Sequence, residues 1–465
     1  MNQRSIFALG ASIRLLTFLI FLNGYAIDYF YPFISTVGMT MDPWKNWIEM
    51  EGRSDAFPYG LIMLFAFKAI YTLEQAILLL LPFLPETSIY VLVLISIDWL
   101  VFKSMLSKEN KKIAYIYWFS PISIYVSYFY LQSDLIVGAL LLISALKLID
   151  QKYRDSGIFL GLAIGCKFGV AITFPFLIAF ALVNSRFRIS ILMVMSWSLP
   201  VALINYMPAI YSSSFRKMVL QTSESGQLFA LQIDMGSLNF YVFPSIYLLL
   251  ILWIWRSGRT NPKVLIGFVG TAIFTLSLTS TGAVGWHLWG LPILILLSSW
   301  EKTEALVAFF VLQAMVILRD IFSTNQMDSN FSISNSLILN LAFTFSAILG
   351  FAWVASTLTK VLEKSDRLRL KEKPILVAIA GNSGVGKDTL TDCLTALFGK
   401  EGVTSLTGDS YHKYERGHGR WRAKTHLDPE QNYLISWKKD MIHSIQRKKI
   451  ERKEYDHAIG KFTPT

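Results

Sequence analysis

Long apolar stretches recur from Ser5 to about Lys360. Several are close to 20 residues long, such as 88–106 and 336–358, and a helix of about 20 apolar residues crosses the hydrocarbon core of a bilayer. The pattern predicts a polytopic α-helical membrane domain with roughly ten to twelve spans. Arg14 lies within the first stretch and many spans follow it, so we expect a retained helix rather than a cleaved signal peptide.

Two apolar regions, 59–85 and 158–183, do not fit a simple alternation of spans between basic and acidic loops. The second is consistent with the alternation only as two short helices that break near Thr173 to Pro175. Paired half-helices are tolerated in a membrane where they are buried in protein or line a cavity.

The apolar pattern ends near Lys360, and a soluble pattern follows. We therefore predict a membrane domain at 1–360, a basic linker at 361–373 and an α/β segment at 374–465. Within the last segment we predict a buried strand at 374–380, a helix at 387–398 and a second strand at 403–407. Apolar residues at helical spacing also predict an amphipathic helix within 430–448.

Composition supports a membrane protein, because 53% of the residues are hydrophobic and only 16% are charged. The formal charge of +11 comes from short basic clusters between apolar stretches, which favours cytoplasmic loops over a nucleic-acid interface. The C-terminal segment is then cytoplasmic at the cell membrane, and the acidic region 25–58 is external. The two cysteines, Cys166 and Cys393, have neither disulfide nor zinc-site spacing.

A glycine-rich run follows the first predicted strand of the C-terminal segment and precedes the predicted helix. It has the spacing G-x-x-x-x-G-K, whose backbone N–H groups and lysine hold nucleotide phosphates. We predict ATP binding by Gly381, Asn382, Ser383, Gly384, Val385, Gly386, Lys387, Asp388 and Thr389. The position after the lysine normally offers a hydroxyl to Mg²⁺. Here it is Asp388, so the magnesium ligand is either this carboxylate or Thr389.

A second polar run, 408–416, follows the second predicted strand, and 425–432 and 455–460 add further polar residues. With these runs the segment resembles the phosphoribulokinase and uridine kinase family over about 90 residues, roughly half of such a domain, so we expect a partial P-loop kinase domain. The resemblance implies that Asp409 is the general base for an alcohol acceptor. It also implies an acceptor pocket lined by Tyr411, His412, Arg416, Tyr455 and His457.

The membrane domain weakly resembles the multi-pass GT-C glycosyltransferases, which use polyprenyl-phosphate sugars. The resemblance rests on 41–44 and 57–60 in an acidic external loop, and on 132–135, 161–167 and 285–292. It implies that Asp42 is the base that activates an acceptor hydroxyl, with Asp55 or Asp28 as substitutes. Asp134 and His287 are expected on the same membrane face.

Three hypotheses remain open on the sequence alone. The chain is a membrane-anchored ATP-dependent phosphotransferase fused to a glycosyltransferase body, or the body is a transporter regulated by the C-terminal segment. Alternatively, the segment is a pseudokinase that binds nucleotide without turnover, for which Asp388 is the main argument. Lipid bilayer, nucleotide and a polyprenyl-phosphate sugar are the expected partners, with ATP and Mg²⁺ as cofactors.

Overall fold

The structure of the protein is a computed structural model. It describes residues 3–22, 24–37, 40–108, 111–258, 260–280, 284–324, 333–365, 375–382, 384–399, 402–424, 428–446, 448, 450, 453–456 and 459–464. Contacts between Cα atoms divide the chain into two compact units, Met1–Asp366 and Arg367–Thr465. Most of the predicted linker, from 366 to 373, lies outside the described residues.

The first unit is almost entirely helical. Its α-helices are α1 (Gln3–Phe21), α2 (Tyr31–Thr36), α3 (Pro43–Glu49), α4 (Leu61–Leu80), α5 (Ser88–Lys108), α6 (Lys111–Trp118), α7 (Pro121–Ile124), α8 (Asp134–Ile149), α9 (Tyr153–Cys166), α10 (Phe174–Val183), α11 (Arg188–Asn205), α12 (Ser213–Phe215), α13 (Val242–Ser257), α14 (Pro262–Thr279), α15 (His287–Leu297), α16 (Thr303–Thr324) and α17 (Ile333–Glu363).

Short irregular helices connect several of these elements. Ala26–Phe30, Tyr125–Phe129 and Arg216–Leu220 are π-helical turns, and Phe168–Thr173, Met207–Ile210, Ser223–Phe229 and Val284–Trp286 are 3₁₀ turns. A small antiparallel hairpin pairs β1 (Gln232–Asp234) with β2 (Asn239–Tyr241).

Fewer helices are long enough to cross a membrane than the sequence pattern predicted. Within the described residues six helices have the required length and hydropathy, or seven if the bent pair Ser5–Phe21 and Ala26–Thr36 is one span. Three further apolar helices, Phe168–Val183, Val242–Ser257 and Val284–Leu297, are shorter. The long helices of the described ranges thus account for six or seven of the ten to twelve expected spans, and breaks in the backbone shorten the other apolar helices.

The region 158–183 contains such a break. α9 ends at Cys166, a 3₁₀ turn covers Phe168–Thr173, and α10 begins at Phe174. The predicted division into two short helices is thus present, although the irregular backbone begins earlier than Thr173. By contrast, region 59–85 contains one uninterrupted helix, α4.

Glycines allow α9 to approach α11 closely. A Cβ on Gly157 would lie 2.4 Å from the carbonyl oxygen of Val194, and one on Gly161 would lie 2.6 Å from that of Ser198. Small residues four positions apart permit this kind of helix contact in apolar surroundings. α9 is held in place at this interface, and it carries Lys167 at its C-terminal end.

The second unit contains α18 (Lys387–Phe398), α19 (Gly419–Ala423) and α20 (Leu434–Ile445), with 3₁₀ turns at Gly408–Tyr411 and Pro429–Gln431. Its strands, β3 (Lys453–Asp456) and β4 (Lys461–Pro464), form an antiparallel hairpin. The predicted helix at 387–398 is present with the same bounds. The amphipathic helix predicted within 430–448 is present as α20.

The two strands predicted for the second unit are not formed. Residues 375–380 and 403–407 do not form strands, and Pro374 lies outside the described residues. The apolar side chains of Ile375, Leu376 and Val377 are each about 60% exposed. A strand requires a hydrogen-bonded neighbour, and a parallel strand is normally covered on both faces. The described part of the second unit supplies neither a hydrogen-bonded neighbour nor a cover on both faces. The apolar pattern alone was therefore insufficient to predict these strands.

Candidate functional site

The glycine-rich loop precedes α18 directly. Gly384 and Gly386 have φ angles of +81° and +85°, which a residue with a Cβ adopts only with strain. Among the described residues, no atom other than those of the adjacent residues lies within 4 Å of the position where a Cβ of either glycine would stand. These glycines are therefore required by backbone conformation rather than by crowding. Ser383, a predicted phosphate ligand, lies outside the described residues.

Lys387 begins α18 and folds back over the loop. Its Nζ donates hydrogen bonds to the carbonyl oxygens of Gly381 at 2.9 Å and Asn382 at 2.7 Å. The ammonium group is therefore held against the backbone at the start of the loop. Val385 is exposed beside it, and a Cβ on Gly381 would touch the Val385 side chain at 3.0 Å.

Asp388 and Thr389 lie in the first turn of α18, and both are exposed. The backbone N–H groups of a first turn have no helical partner and favour anions. An acidic Asp388 at this position interacts favourably with the helix but brings negative charge to the end where phosphates would bind. Oxygen atoms suited to Mg²⁺ are thus present at both residues.

Asp409 lies on the 3₁₀ turn Gly408–Tyr411, next to His412. His412 Nε2 is 3.2 Å from Asp409 Oδ1, and His412 Nδ1 is 2.6 Å from Asn432 Oδ1. The imidazole is 6% exposed, whereas the Asp409 side chain is 46% exposed. A buried histidine therefore orients a carboxylate that remains accessible.

The surroundings of His412 change its pKa in opposite directions. Burial lowers the pKa, but hydrogen bonds to Asp409 and Asn432 and the negative charge of Asp409 raise it. The net effect places the pKa of His412 above its ordinary value of 6.5. The protonated imidazole is stabilised by the two oxygen acceptors.

Aromatic rings enclose His412. The rings of Trp421 and Tyr455 each contact the imidazole edge-to-face with centroids 5.5 Å apart, and Tyr455 also packs on Phe462. Tyr411 stacks on Trp437, and its hydroxyl donates to Asp440 Oδ2 at 2.9 Å. The predicted acceptor residues Tyr411, His412 and Tyr455 thus occupy one part of the unit.

Arg416 and His457 complete the set of predicted acceptor residues. Arg416 is exposed, and its backbone N–H donates to the carbonyl oxygen of Gly460 at 2.9 Å, which joins its loop to the β3–β4 hairpin. His457 lies outside the described residues. Sequence analysis did not single out Trp421, Asn432 or Asp440, although Asn432 falls within the polar run that carried the resemblance.

A cleft of about 510 Å³ lies on the surface of the second unit. It is lined by Lys413, Tyr414, Arg420, Ala423, Lys424, Glu430 and Gln431. Its polar side chains contact one another: Lys424 Nζ lies 2.6 Å from Glu430 Oε2, and Arg420 donates to the Tyr414 hydroxyl at 2.8 Å. Lys413 continues directly from His412, so the cleft is close along the chain to the Asp409 turn.

In the first unit Asp42 has a structural contact. Its carboxylate accepts a hydrogen bond from the backbone N–H of Lys45 at 3.0 Å and so caps α3. The side chain is half-buried at the helix N-terminus. This contact gives the acidic residue a structural role as the N-cap of α3.

Four segments that carried the weak glycosyltransferase resemblance meet inside the first unit. Trp289 Nε1 donates to Asp134 Oδ1 at 2.7 Å, and Ser133 Oγ donates to the Tyr59 hydroxyl at 2.7 Å. The Lys167 ammonium lies 4.8 Å from the centre of the Tyr59 ring. Each of these side chains is less than 10% exposed. Residues far apart in sequence therefore form one buried polar cluster.

His287 is also buried. It lies two positions from Gly285 and two positions from Trp289, and both of those residues contact Asp134. Its Nδ1 is 3.0 Å from the carbonyl oxygen of Val284, and its ring packs edge-to-face on Phe274. Because a carbonyl oxygen only accepts, Nδ1 carries the proton and Nε2 is an acceptor in the neutral ring. The expectation that Asp42, Asp134 and His287 share a membrane face is not tested by these contacts.

Comparisons with known proteins support the kinase-like part of the chain. Phosphoribulokinase from Synechocystis sp. is 31% identical over 93 residues, which is 20% of this chain and 28% of that protein. Uridine kinase from Latilactobacillus sakei subsp. sakei is 29% identical over 96 residues, 20% of this chain and 44% of that protein. Chloroplastic phosphoribulokinase from Triticum aestivum is 27% identical over 110 residues, 20% of this chain and 27% of that protein.

These matches identify a P-loop kinase-like segment in the chain. The chain spans 28%, 44% and 27% of the lengths of the three relatives, so the match covers less than half of each. No protein-family model and no solved structure matches the chain.

Proposed function

We propose that the protein is a membrane-embedded phosphotransferase whose C-terminal unit transfers the γ-phosphoryl group of ATP to an alcohol acceptor. The observation that carries this proposal is the pairing of Asp409 with His412 in a segment whose sequence resembles phosphoribulokinases and uridine kinases. The helical first unit anchors the protein in the cell membrane. Basic loops between its apolar helices favour a cytoplasmic second unit.

ATP fits the loop that precedes α18. Gly384 and Gly386 leave open space where side chains would block a phosphate, and the first turn of α18 directs N–H groups to the same end. Lys387 would exchange its contacts with Gly381 and Asn382 for phosphate oxygens. Asp388 or Thr389 would hold the Mg²⁺ that neutralises the phosphates during transfer.

Asp409 is the proposed general base. A carboxylate that is oriented by a buried histidine and remains about half exposed can accept the proton of an incoming hydroxyl. Tyr411, His412 and Tyr455 would form the wall of the acceptor pocket, with Arg416 and His457 as further acceptor ligands. The acceptor is an alcohol of the sugar or nucleoside type.

A pseudokinase that binds nucleotide without turnover is the alternative for the second unit. Asp388 favours it, because an added negative charge beside the phosphates opposes both Mg²⁺-ATP binding and the developing charge of transfer. In this case the second unit would regulate the first unit, which would be a transporter or a glycosyltransferase.

For the first unit we propose glycosyl transfer from a polyprenyl-phosphate sugar, with Asp42 as base. The convergence of the segments around Tyr59, Asp134, Lys167 and Trp289 in one buried cluster supports this candidate. The capping contact of Asp42 weighs against a catalytic role for that residue. Replacing Asp42 with Asn while sugar transfer is assayed separates the two roles, because a capping asparagine preserves α3.

The deciding experiment for the phosphotransferase is ATP binding and hydrolysis by the purified full chain, with and without Mg²⁺ and with sugar and nucleoside acceptors. We expect Lys387→Ala to weaken ATP binding by about 10- to 100-fold, which corresponds to the free energy of one charge-assisted hydrogen bond. The control variant Lys438→Ala should leave ATP binding unchanged. Asp409→Asn should bind ATP normally but lose turnover. Binding without turnover by the wild type would establish the pseudokinase instead.

A further inference from the structure

The β1–β2 hairpin of the first unit has one apolar face and one polar face. Ile233 pairs directly with Phe240, and the backbone N–H of Met235 donates to the carbonyl oxygen of Leu238 at 2.9 Å. Because side chains alternate along a strand and paired residues share a face, these four apolar side chains lie on the same face. The other face carries Gln232, Asp234, Asn239 and Tyr241.

The turn of the hairpin fixes which side chains share a face. Gly236 has a φ angle of +86°, which glycine adopts without strain, and its backbone N–H donates to Asp234 Oδ1 at 2.7 Å. A two-residue turn of this kind sets the register of the two strands. A slip by one residue would exchange the faces, so the amphipathic character of the hairpin depends on this turn.

The apolar face is open in the part of the chain that the structure describes. Ile233 is 51% exposed, Met235 64%, Leu238 72% and Phe240 44%. Single exposed apolar residues are ordinary, but a contiguous group on one face marks a surface that meets a partner or a membrane. The described residues of the first unit do not cover this face.

The helix α13 determines on which side of the membrane the hairpin lies. The backbone N–H of Val242, the first residue of α13, donates to the carbonyl oxygen of Leu231 at 3.0 Å, which fixes the base of the hairpin to the helix. Arg256 lies in the last turn of α13, and Lys263 lies in the first turn of α14. These basic residues favour a cytoplasmic connection between the two helices. The hairpin then lies at the external end of α13.

The length of α13 limits how far the hairpin extends from the bilayer. The helix rises about 21 Å from Val242 to Arg256, whereas the hydrocarbon core of a bilayer is about 30 Å thick. With Arg256 at the cytoplasmic boundary, Val242 does not pass the external boundary of the hydrocarbon, and a tilt of the helix brings it deeper. The hairpin thus begins close to the depth where acyl chains meet headgroups.

The apolar surface of the hairpin continues along the chain into that of α13. Leu248, Leu249 and Leu252 are each more than half exposed on this helix, as expected for side chains that face lipid. Phe229, which is half exposed just before the hairpin, packs edge-to-face on Tyr241 with ring centroids 5.2 Å apart. Aromatic residues are enriched where a bilayer meets water, so the composition around the hairpin matches this layer.

We propose that the β1–β2 hairpin lies flat in the external interface of the bilayer, with its apolar face on the acyl chains and its polar face in water. The interface suits a two-stranded ribbon, because headgroups and water can satisfy the backbone groups at strand edges and hydrocarbon cannot. Residues 232–241 include no Lys or Arg, so apolar contact rather than attraction to anionic lipid holds the hairpin there. The inference uses the membrane placement of the first unit and neither of the proposed reactions.

The test measures the surroundings of single spin labels on the full chain in nanodiscs of phosphatidylcholine. Both native cysteines, Cys166 and Cys393, are first replaced by alanine. Labels are then attached in Ile233→Cys on the apolar face and in Gln232→Cys on the polar face. Oxygen concentrates among acyl chains and a nickel chelate stays in water, so the ratio of their collision rates with the label reports its depth. We expect a higher oxygen-to-nickel ratio at position 233 than at position 232.

A second pair of variants and two reference positions complete the experiment. Leu238→Cys and Asn239→Cys should repeat the difference on the return strand, so the result does not depend on the folding of one variant. Leu249→Cys on α13 is the reference for lipid, and Lys438→Cys, which is exposed in the second unit, is the reference for water. Labels on the apolar face should resemble the lipid reference, and labels on the polar face should resemble the water reference.

Three results overturn the proposal in distinguishable ways. Ratios near the water reference on both faces would place the hairpin in water. Slow collisions with both reagents at the apolar face would indicate a protein cover, and dipolar coupling between labels would identify that cover as a second copy of the chain. If the Leu249 label itself collides freely with the nickel chelate, the membrane placement of the whole first unit fails, and the proposed membrane anchoring fails with it.

Discussion

Arg14 and Asp98 form a fully buried ion pair between α1 and α5. Arg14 Nε lies 2.7 Å from Asp98 Oδ2, and both side chains have no exposed surface. The guanidinium also donates to the carbonyl oxygen of Trp118 and lies 3.8 Å above the centre of the Trp118 ring. The Tyr128 hydroxyl donates to the same carboxylate at 3.1 Å. This network joins elements that are distant in sequence.

We expect Asp98→Leu to lower the free energy of unfolding by about 3–5 kcal/mol, because it leaves the Arg14 charge buried without its partner. Adding Arg14→Met should recover much of the loss, since the remaining charge is then removed. Chemical unfolding of the full chain in detergent measures both. The exposed pair Arg53 and Asp55 is the matched control, and its loss should cost at most about 1 kcal/mol. Equal losses at both pairs would contradict this expectation.

Asp388→Ser should strengthen binding of Mg²⁺-ATP by about fivefold. The substitution removes a negative charge next to the phosphates and restores a hydroxyl, and two unit charges 4 Å apart in water repel by about 1 kcal/mol. Titration with ATP at several Mg²⁺ concentrations measures the effect. Thr389→Ala is the companion variant. If it abolishes the Mg²⁺ dependence and Asp388→Ser does not change it, Thr389 is the metal ligand.

His412 should make the stability of the Asp409 turn depend on pH. Its pKa is raised above 6.5 in the folded protein, so folding favours the protonated ring. The stabilisation is complete below about pH 6.5 and is lost as the pH rises through the folded-state value. Hydrogen exchange of the 408–412 amides, corrected for the intrinsic effect of pH, should therefore accelerate above this range. The acceleration should disappear in His412→Gln.

Gly285→Ala should displace Gln132 and Asp134, since the new Cβ would overlap both side-chain oxygens. We expect a lower unfolding temperature. Gly267→Ala is a suitable control, because the nearest atom to its Cβ would be at 3.5 Å, an ordinary contact. That variant should be neutral or slightly stabilising in α14. Similar effects of the two substitutions would argue against close packing at Gly285.

Local sequence signals identified the start of α18 at Lys387 and the polar run that contains Asp409. They failed for 375–380, because a strand depends on neighbours that an apolar pattern does not reveal. They also could not identify Arg14 as the partner of Asp98, which is 84 positions away. The roles of Trp421 and Asn432 beside His412 were not predicted for the same reason, since these contacts form only through the tertiary structure.

The short length of α9 has an electrical consequence in the proposed membrane. Its 14 residues span about 21 Å, less than the roughly 30 Å of hydrocarbon, and Lys167 follows immediately. If α9 enters that membrane from one surface, the ammonium group would lie within the transmembrane field rather than in the headgroup region. The free energy of one elementary charge that crosses the whole field changes by about 2.3 kcal/mol per 100 mV of membrane potential. Any reaction step that moves Lys167 along the membrane normal would therefore depend on membrane voltage.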